Sequence, residues 1–431
     1  MSRIVVIGGG VIGLWSAYEL RRRGAEVVVL DAGGPEDGCS WANAGWVVPS
    51  FSDPLPAPGL ALRALGWLLL PQSPFHISPR ALPGLARWLI SFWRYANPRE
   101  YETAFNALAR LNSQTLTSYD ALRTDGVDFE MHRPGLLFAF ERAAEVRHIQ
   151  EDLDRLRAYG YPEPQRLGPA EVRAFEPALS PRLAAGLLVE GERCVRPESL
   201  VAGLERRLGE MGVEVRRGAA VIGFTRWRDR ITGALTRRGR VEGTQFLIAA
   251  GAWSAPLARR AGVVLPLTAA KGYSITLQDP ALRLHHLVYL TEAKVACTPL
   301  DGAVRFAGTL ELSGVNRRAD SRRFAAVRRA VHRALGTWPQ AAAESTWMGL
   351  RPVTPDGLPL IGRLRDDVFI AAGHGMLGIT LAPATAQAIA GAMLERRVEA
   401  DLRPFDPLRF IRRSAEDSAA TRTRHAEAPQ R

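Results

Sequence analysis

The chain has 431 residues, 47% of them apolar, and a formal net charge of +12. That content can bury a large core and predicts two domains rather than one, while the scattered glycines and prolines exclude a collagenous or low-complexity protein. The charge does not indicate a nucleic-acid binder: Lys271 and Lys294 are the two lysines, and every other base is an arginine spread along the chain without forming a stripe.

Ile4–Ile7 is a short β-branched run that predicts a buried parallel strand. Val11–Arg23 has helical spacing and ends at Gly24, and Val27–Leu30 reads as a second buried strand closing at Asp31. Such a strand–helix–strand unit of about 30 residues is what a dinucleotide-binding fold requires. The opening MSRIVVIGGG is too short in its apolar run, and too abrupt in its glycine turn, for a signal peptide. No stretch reaches the roughly 20 apolar residues of a membrane span. Cys39, Cys194 and Cys297 form neither a CxxC pair nor a metal spacing, so a reduced, cytoplasmic protein without a metal is expected.

Prolines from Pro54 to Pro83 interrupt tryptophan-rich apolar pieces, LALRALGWLLL and LARWLISFWR. With Arg63, Arg80, Arg87 and Arg94 among them, these pieces read either as an amphipathic surface that meets a membrane or as a core under the proline loops. Thr103–Tyr119 is expected to be one long helix, and 141–158 carries a second helical pattern. Gly186–Glu190, Val213–Arg216, Phe246–Ala250, Tyr273–Leu277 and Val304–Ala307 read as strands, Ser199–Met211 as a helix, and a further helix runs from Asp320 to about Leu335. Residues 414–431 are polar and charged and read as a disordered tail. The expected organisation is a dinucleotide-binding domain in three pieces (1–50, 190–265, 350–413), with a substrate domain (51–189, 266–349) inserted between them.

Gly8, Gly10 and Gly13 form GxGxxG between strand and helix: one glycine for the turn, one for approach to a pyrophosphate, one for helix–strand packing. Val11 and Ile12 open the helix whose N–H groups would face phosphate. Asp31, 18 residues past Gly13, stands where a carboxylate takes ribose hydroxyls. More than three hundred residues later GLRPVTPDGLPLIG, a short strand VFIAAG and HGMLG lay down a second glycine-rich loop, as a protein holding a whole flavin would need.

With GCSWANAGWVVPS at 38–50 and KGYS at 271–274, these segments resemble the D-amino acid oxidase superfamily of FAD enzymes, and are most similar to its bacterial D-amino acid dehydrogenases. The resemblance spans Gly8 to Gly378. It implies an α/β fold with a discontinuous, Rossmann-like FAD-binding domain and an inserted α+β substrate domain built on an antiparallel sheet. It implies oxidative deamination of D-amino acids, with electrons passed to a quinone or another carrier. A glycine- or sarcosine-type oxidase, a D-hydroxyproline dehydrogenase and a non-catalytic FAD-binding subunit are the alternatives. Location is expected to be cytoplasmic or peripheral at the inner face of the plasma membrane, and no motif specifies an oligomeric state.

The family's G-[LF]-R-P arginine falls on Arg351, which would grip the substrate carboxylate bidentately; the plainer reading pairs Arg351 with Asp356. Tyr273 and Tyr289 are candidates for a hydroxyl that orients substrate, and each reads equally as a strand residue. Ser40, Ala42, Asn43 and Ala44 suit a loop laid against the isoalloxazine. Val221 and Gly251, the latter in FLIAAGAWS, are expected near the cofactor. Gly375, Met376, Leu377 and Gly378 would bring N–H groups to the flavin pyrimidine, with His374 either a flavin neighbour or a packing residue. Thr346–Thr354 contains no cysteine, which implies non-covalent FAD. Lys271 draws notice only because lysine is so rare here, and KGYS reads equally as the start of a strand.

Overall fold

A computed structural model describes residues 3–59, 73–395 and 400–412. Its six-stranded sheet runs, in spatial order, Glu214–Arg216, Glu26–Leu30, Arg3–Ile7, Gln245–Ile248, Val368–Ala372 and Leu360–Arg363. The first five strands are parallel and the last is antiparallel. Ile4 and Val6 of the Arg3–Ile7 strand join one core, and Val5 and Ile7 join another. Both faces are therefore buried, which is why these strands read as unbroken apolar runs rather than alternating ones.

Helices Val11–Arg22, Pro197–Glu210 and Gly378–Leu394 cover one face. A three-stranded antiparallel sheet (Val221–Trp227, Arg230–Thr236, Gly239–Glu242) and the short helix Ser254–Arg260 cover the other. Strands from the start, middle and end of the chain thus share one sheet.

The second large sheet has nine strands, its longest being Thr268–Gln278, Ala303–Leu312 and Ala343–Val353. It is mostly antiparallel, as expected, with two parallel pairings: Leu287–Leu290 on Leu136–Phe140, and Leu310–Leu312 on Phe75–Ile77. The helix Ser321–Leu335 packs against it and begins where expected, because the Asp320 carboxylate accepts the Arg322 N–H at 2.9 Å.

The single helix expected over Thr103–Tyr119 is instead two, Pro98–Asn112 and Thr115–Thr124. The break is chemical. Asn112 donates to Ser52 Oγ at 2.9 Å and Thr115 Oγ1 donates to the Thr380 carbonyl at 3.0 Å. Short polar side chains with such tertiary partners end a helix that spacing alone would continue. The piece LALRALGWLLL and the 414–431 tail lie outside the described residues. LARWLISFWR lies in the helix Leu82–Tyr95, which buries Leu85, Trp88, Phe92 and Tyr95 while leaving Ile90 and Trp93 more than half exposed. Among the described residues no helix is long and apolar enough to cross a membrane.

Candidate active site

A cavity of about 710 Å³ runs from the carboxyl end of the parallel sheet to the face of the nine-stranded sheet. At the parallel-sheet end the wall is backbone. Gly8 has φ +124°, and a Cβ there would lie 2.3 Å from the Ala249 carbonyl; one on Gly13 would lie 1.9 Å from the Gly8 carbonyl. Only glycine permits this approach of turn, helix and neighbouring strand. Ser40 Oγ accepts the Val11 N–H at 3.0 Å, at the start of the first helix. The remaining N–H groups of that first turn give an anion its partners. Asp31 lines the cavity, accepts N–H bonds from Gly9 (2.6 Å) and Gly33 (3.1 Å), and pairs with Arg217 at 3.3 Å. A narrow anion cradle with a carboxylate beside it fits the phosphate and ribose groups of FAD.

The loop 38–50 bridges the two sheets, and the side chains around it hold its carbonyls one by one. Ser274 Oγ donates to Ala42 O (2.7 Å), Arg305 to Asn43 O (3.0 Å), Thr298 to Ala44 O (2.8 Å) and Thr380 to Trp46 O (3.1 Å). The loop is therefore a fixed wall, with Ser40, Asn43, Ala44 and Trp46 lining the cavity. Ala42 does not line it; its backbone serves as an anchor.

Arg351, on the Ala343–Val353 strand, is enclosed by protein except where it meets the cavity, and this burial holds its pKa below the ordinary guanidinium range. Its guanidinium lies over Gly272, where a Cβ would come within 2.2 Å of Nη2, and Nη1 donates to the Thr309 carbonyl at 3.0 Å. Among the described residues it has no carboxylate partner. Asp356, the partner of the plainer reading, is taken by Arg409 at 2.6 and 3.0 Å. An enclosed cation without a protein anion is costly unless a ligand supplies one.

Tyr289 lines the same cavity, packed edge-on against Phe51 (5.1 Å) and Trp46 (5.9 Å). Burial raises its phenol well above the usual range, so the hydroxyl stays protonated. Tyr273 is a correction. Its hydroxyl is bound to Glu311 and accepts the Asp320 N–H at 3.2 Å, and its ring packs against Phe324, away from the large cavity. Lys271 belongs to the same knot, donating to Asn316 Oδ1 (2.8 Å) and the Arg318 carbonyl (2.6 Å). Successive strand residues face opposite ways, so with Gly272 under Arg351 its two neighbours lie on the opposite, equally buried face of the sheet.

His374 lines the cavity but is hydrogen-bonded to Thr385 at 3.0 Å, and burial pushes its pKa down to about 3. Burial thus keeps its ring neutral, and Thr385 takes one of its ring nitrogens. Gly10, Ile12, Val221, Gly251, Gly375, Met376, Leu377 and Gly378 all line the cavity, whereas Gly13 acts beneath it. Sequence reasoning missed Phe51, Asp53, Tyr101, Asp152 and Thr309. Tyr101 Oη lies 3.4 Å from both Asp53 and Asp152, and burial, then the Asp152 charge, pushes Asp53 up to about 7. These residues come from loops and from elements remote in sequence, with no local signature.

A profile of FAD dependent oxidoreductases matches residues 3–392. A D-amino acid dehydrogenase of Sinorhizobium medicae is 33% identical over 416 residues, covering 93% of this chain and 97% of that protein. Among solved structures, L-proline dehydrogenase from P. horikoshii superposes with a TM-score of 0.76 at 20% identity, covering 95% of this chain and 98% of that one. Glycine oxidase from Geobacillus kaustophilus gives 0.72 at 24% identity, covering 95% and 99%. At these identities the structural likenesses establish the fold alone.

Proposed function

The chain belongs to the family of FAD-dependent oxidoreductases, and from that premise we propose that it oxidises D-amino acids to 2-oxo acids and ammonia. The observation that carries this reading is Arg351: a cavity-facing guanidinium whose hydrogen bond goes to a neutral carbonyl and whose charge awaits a carboxylate. Kinship with D-amino acid dehydrogenases supports the D configuration. FAD, when bound, supplies the acceptor for the hydrogen and electron pair that leave the substrate α-carbon. Arg351 fixes the carboxylate, and the protonated Tyr289 offers a hydroxyl to orient the substrate. The Trp46–Phe51–Tyr289 wall keeps water from the reacting carbon. The substrate must arrive with a neutral amine, and no side chain at His374 takes its proton. The imine product then adds water and releases ammonia.

Cys39 lines the cavity, but burial pushes its thiol up to about 11. A protonated thiol is a poor nucleophile, which supports non-covalent FAD. Electrons pass to a quinone or another carrier. Support for peripheral docking at a membrane comes from Leu82, Ile90 and Trp93, exposed on one helix near the exposed Arg80, Arg87 and Arg94.

The test is anaerobic. Addition of a D-amino acid should bleach the flavin absorption band while the L-enantiomer leaves it, and air should restore it slowly. A yellow protein that no D-amino acid bleaches would sink the proposal, and rapid recolouring with hydrogen peroxide release would make it an oxidase.

A further inference from the structure

The strand Ala303–Leu312 pairs with Thr268–Gln278 through a break in register: Tyr273 is opposite Gly308, yet Lys271 is opposite Glu311. Two residues, Thr309 and Leu310, therefore stand where the partner strand offers Gly272 alone, which is a β-bulge. Bulges re-aim side chains and gather beside active sites. Thr309 has φ +58°, a left-handed backbone that glycine adopts freely and a β-branched residue adopts only under strain. Its carbonyl is turned onto Arg351 Nη1 at 3.0 Å. Glycine would make the same carbonyl contact without strain, so the carbonyl does not account for the side chain.

The side chain itself is unused. Thr309 is 5% exposed and lines the cavity, and among the described residues its hydroxyl has no hydrogen-bond partner. An unpaired buried hydroxyl is costly, and the cost disappears if a ligand completes it. We propose that Thr309 is a further substrate-binding residue, its hydroxyl donating to the carboxylate that Arg351 pairs with. Because the hydroxyl and the Arg351-bound carbonyl belong to one residue, the bulge keeps Thr309 beside the guanidinium. This inference rests on the reading of the site as one that receives an amino-acid carboxylate.

The experiment uses the FAD-loaded full chain and a saturated monocarboxylate without an amine, isovalerate. Binding is read from the perturbed flavin spectrum and from the ligand-induced rise in melting temperature. Thr309→Val should weaken isovalerate about tenfold or more, as loss of a hydrogen bond to a charged group does, with FAD content unchanged. Thr309→Ser should restore binding to within about threefold of the parent chain, since it returns only the hydroxyl. Thr309→Gly, which relieves the strain and cannot fail for lack of conformational room, should bind as weakly as Val. Unchanged affinity in the Val and Gly variants would overturn the proposal. So would intact isovalerate binding with a raised KM for D-amino acids, since that result would move the contact to the amine. If the parent chain is not bleached by any D-amino acid, the broader reading fails. If it is bleached and the variants bind isovalerate equally, this inference alone fails.

Discussion

The two ends of the cavity are built from different materials. At the parallel-sheet end, backbone does the binding, and glycines at 8, 10 and 13 clear the way for it. At the other end the wall is made of side chains, and Arg351, Tyr289 and Thr309 line it from three different strands of one large sheet. The first end depends on what is missing from a few residues. The second depends on long-range register, so a change of chemistry there leaves the cofactor in place. Substitutions should accordingly separate into those that empty the protein of FAD and those that leave it yellow and slow.

The sharpest test of that division is Arg351→Ala. It should lower kcat/KM for D-amino acids by about 3–5 kcal/mol, the cost of removing one partner from an enclosed ion pair, while FAD stays bound. Steady-state assays with an artificial acceptor, alongside the visible spectrum, read both quantities, and near-normal turnover would refute the carboxylate role. Next in size, Gly13→Ala drives a methyl toward the Gly8 carbonyl and should cost about 1–3 kcal/mol of stability. Its signature is a fall in the ratio of flavin to protein absorbance; a fully loaded, fully stable variant would break the comparison.

A smaller effect concerns pH. Burial pushes Glu192, beneath the 48–52 turn, up to about 7, and Asp53 is raised likewise. Both folded pKa values exceed the unfolded ones, so the native state holds protons that the unfolded chain has already lost. Stability conferred below the carboxylate range is then lost as pH rises through about 7. Melting temperature should fall between pH 6.5 and 8, and Glu192→Gln should flatten the decline. His374 has the opposite sign: with its folded pKa near 3, it removes stability as pH falls below about 6.5, outside that window. Smallest of all, Trp93→Gln should change stability by no more than about 0.5 kcal/mol, since the side chain is exposed. It should nevertheless reduce co-sedimentation with anionic phospholipid vesicles, and unchanged sedimentation would remove the membrane reading.

Legibility in the sequence follows the same division. GGGVIG, FLIAAG and HGMLG are local words for backbone shapes, and each could be read without knowing its neighbours. Arg351 was legible because a proline-flanked arginine in an apolar stretch needs a partner. Tyr273 and Tyr289 cannot be told apart in the sequence, because a strand shows its period but not which face meets the cavity. Gly272 held that answer, since a glycine inside a strand marks the face where something else comes close. Thr309 gave no sign at all: its left-handed backbone exists only because two strands, brought together from distant stretches of chain, pair out of step. The acids at 53 and 152 meet through Tyr101 on a third segment, a contact that no local spacing encodes.

The shared sheet also sets a schedule for biosynthesis. The Gln245–Ile248 strand leaves the ribosome 120 residues before Val368, the start of its outer neighbour. At ordinary elongation rates the nascent chain presents an open, apolar strand edge for about ten seconds. Such an edge invites pairing with other chains until the last neighbour arrives. The cavity wall is complete only after the same moment, because its lining at Gly375–Gly378 follows that strand.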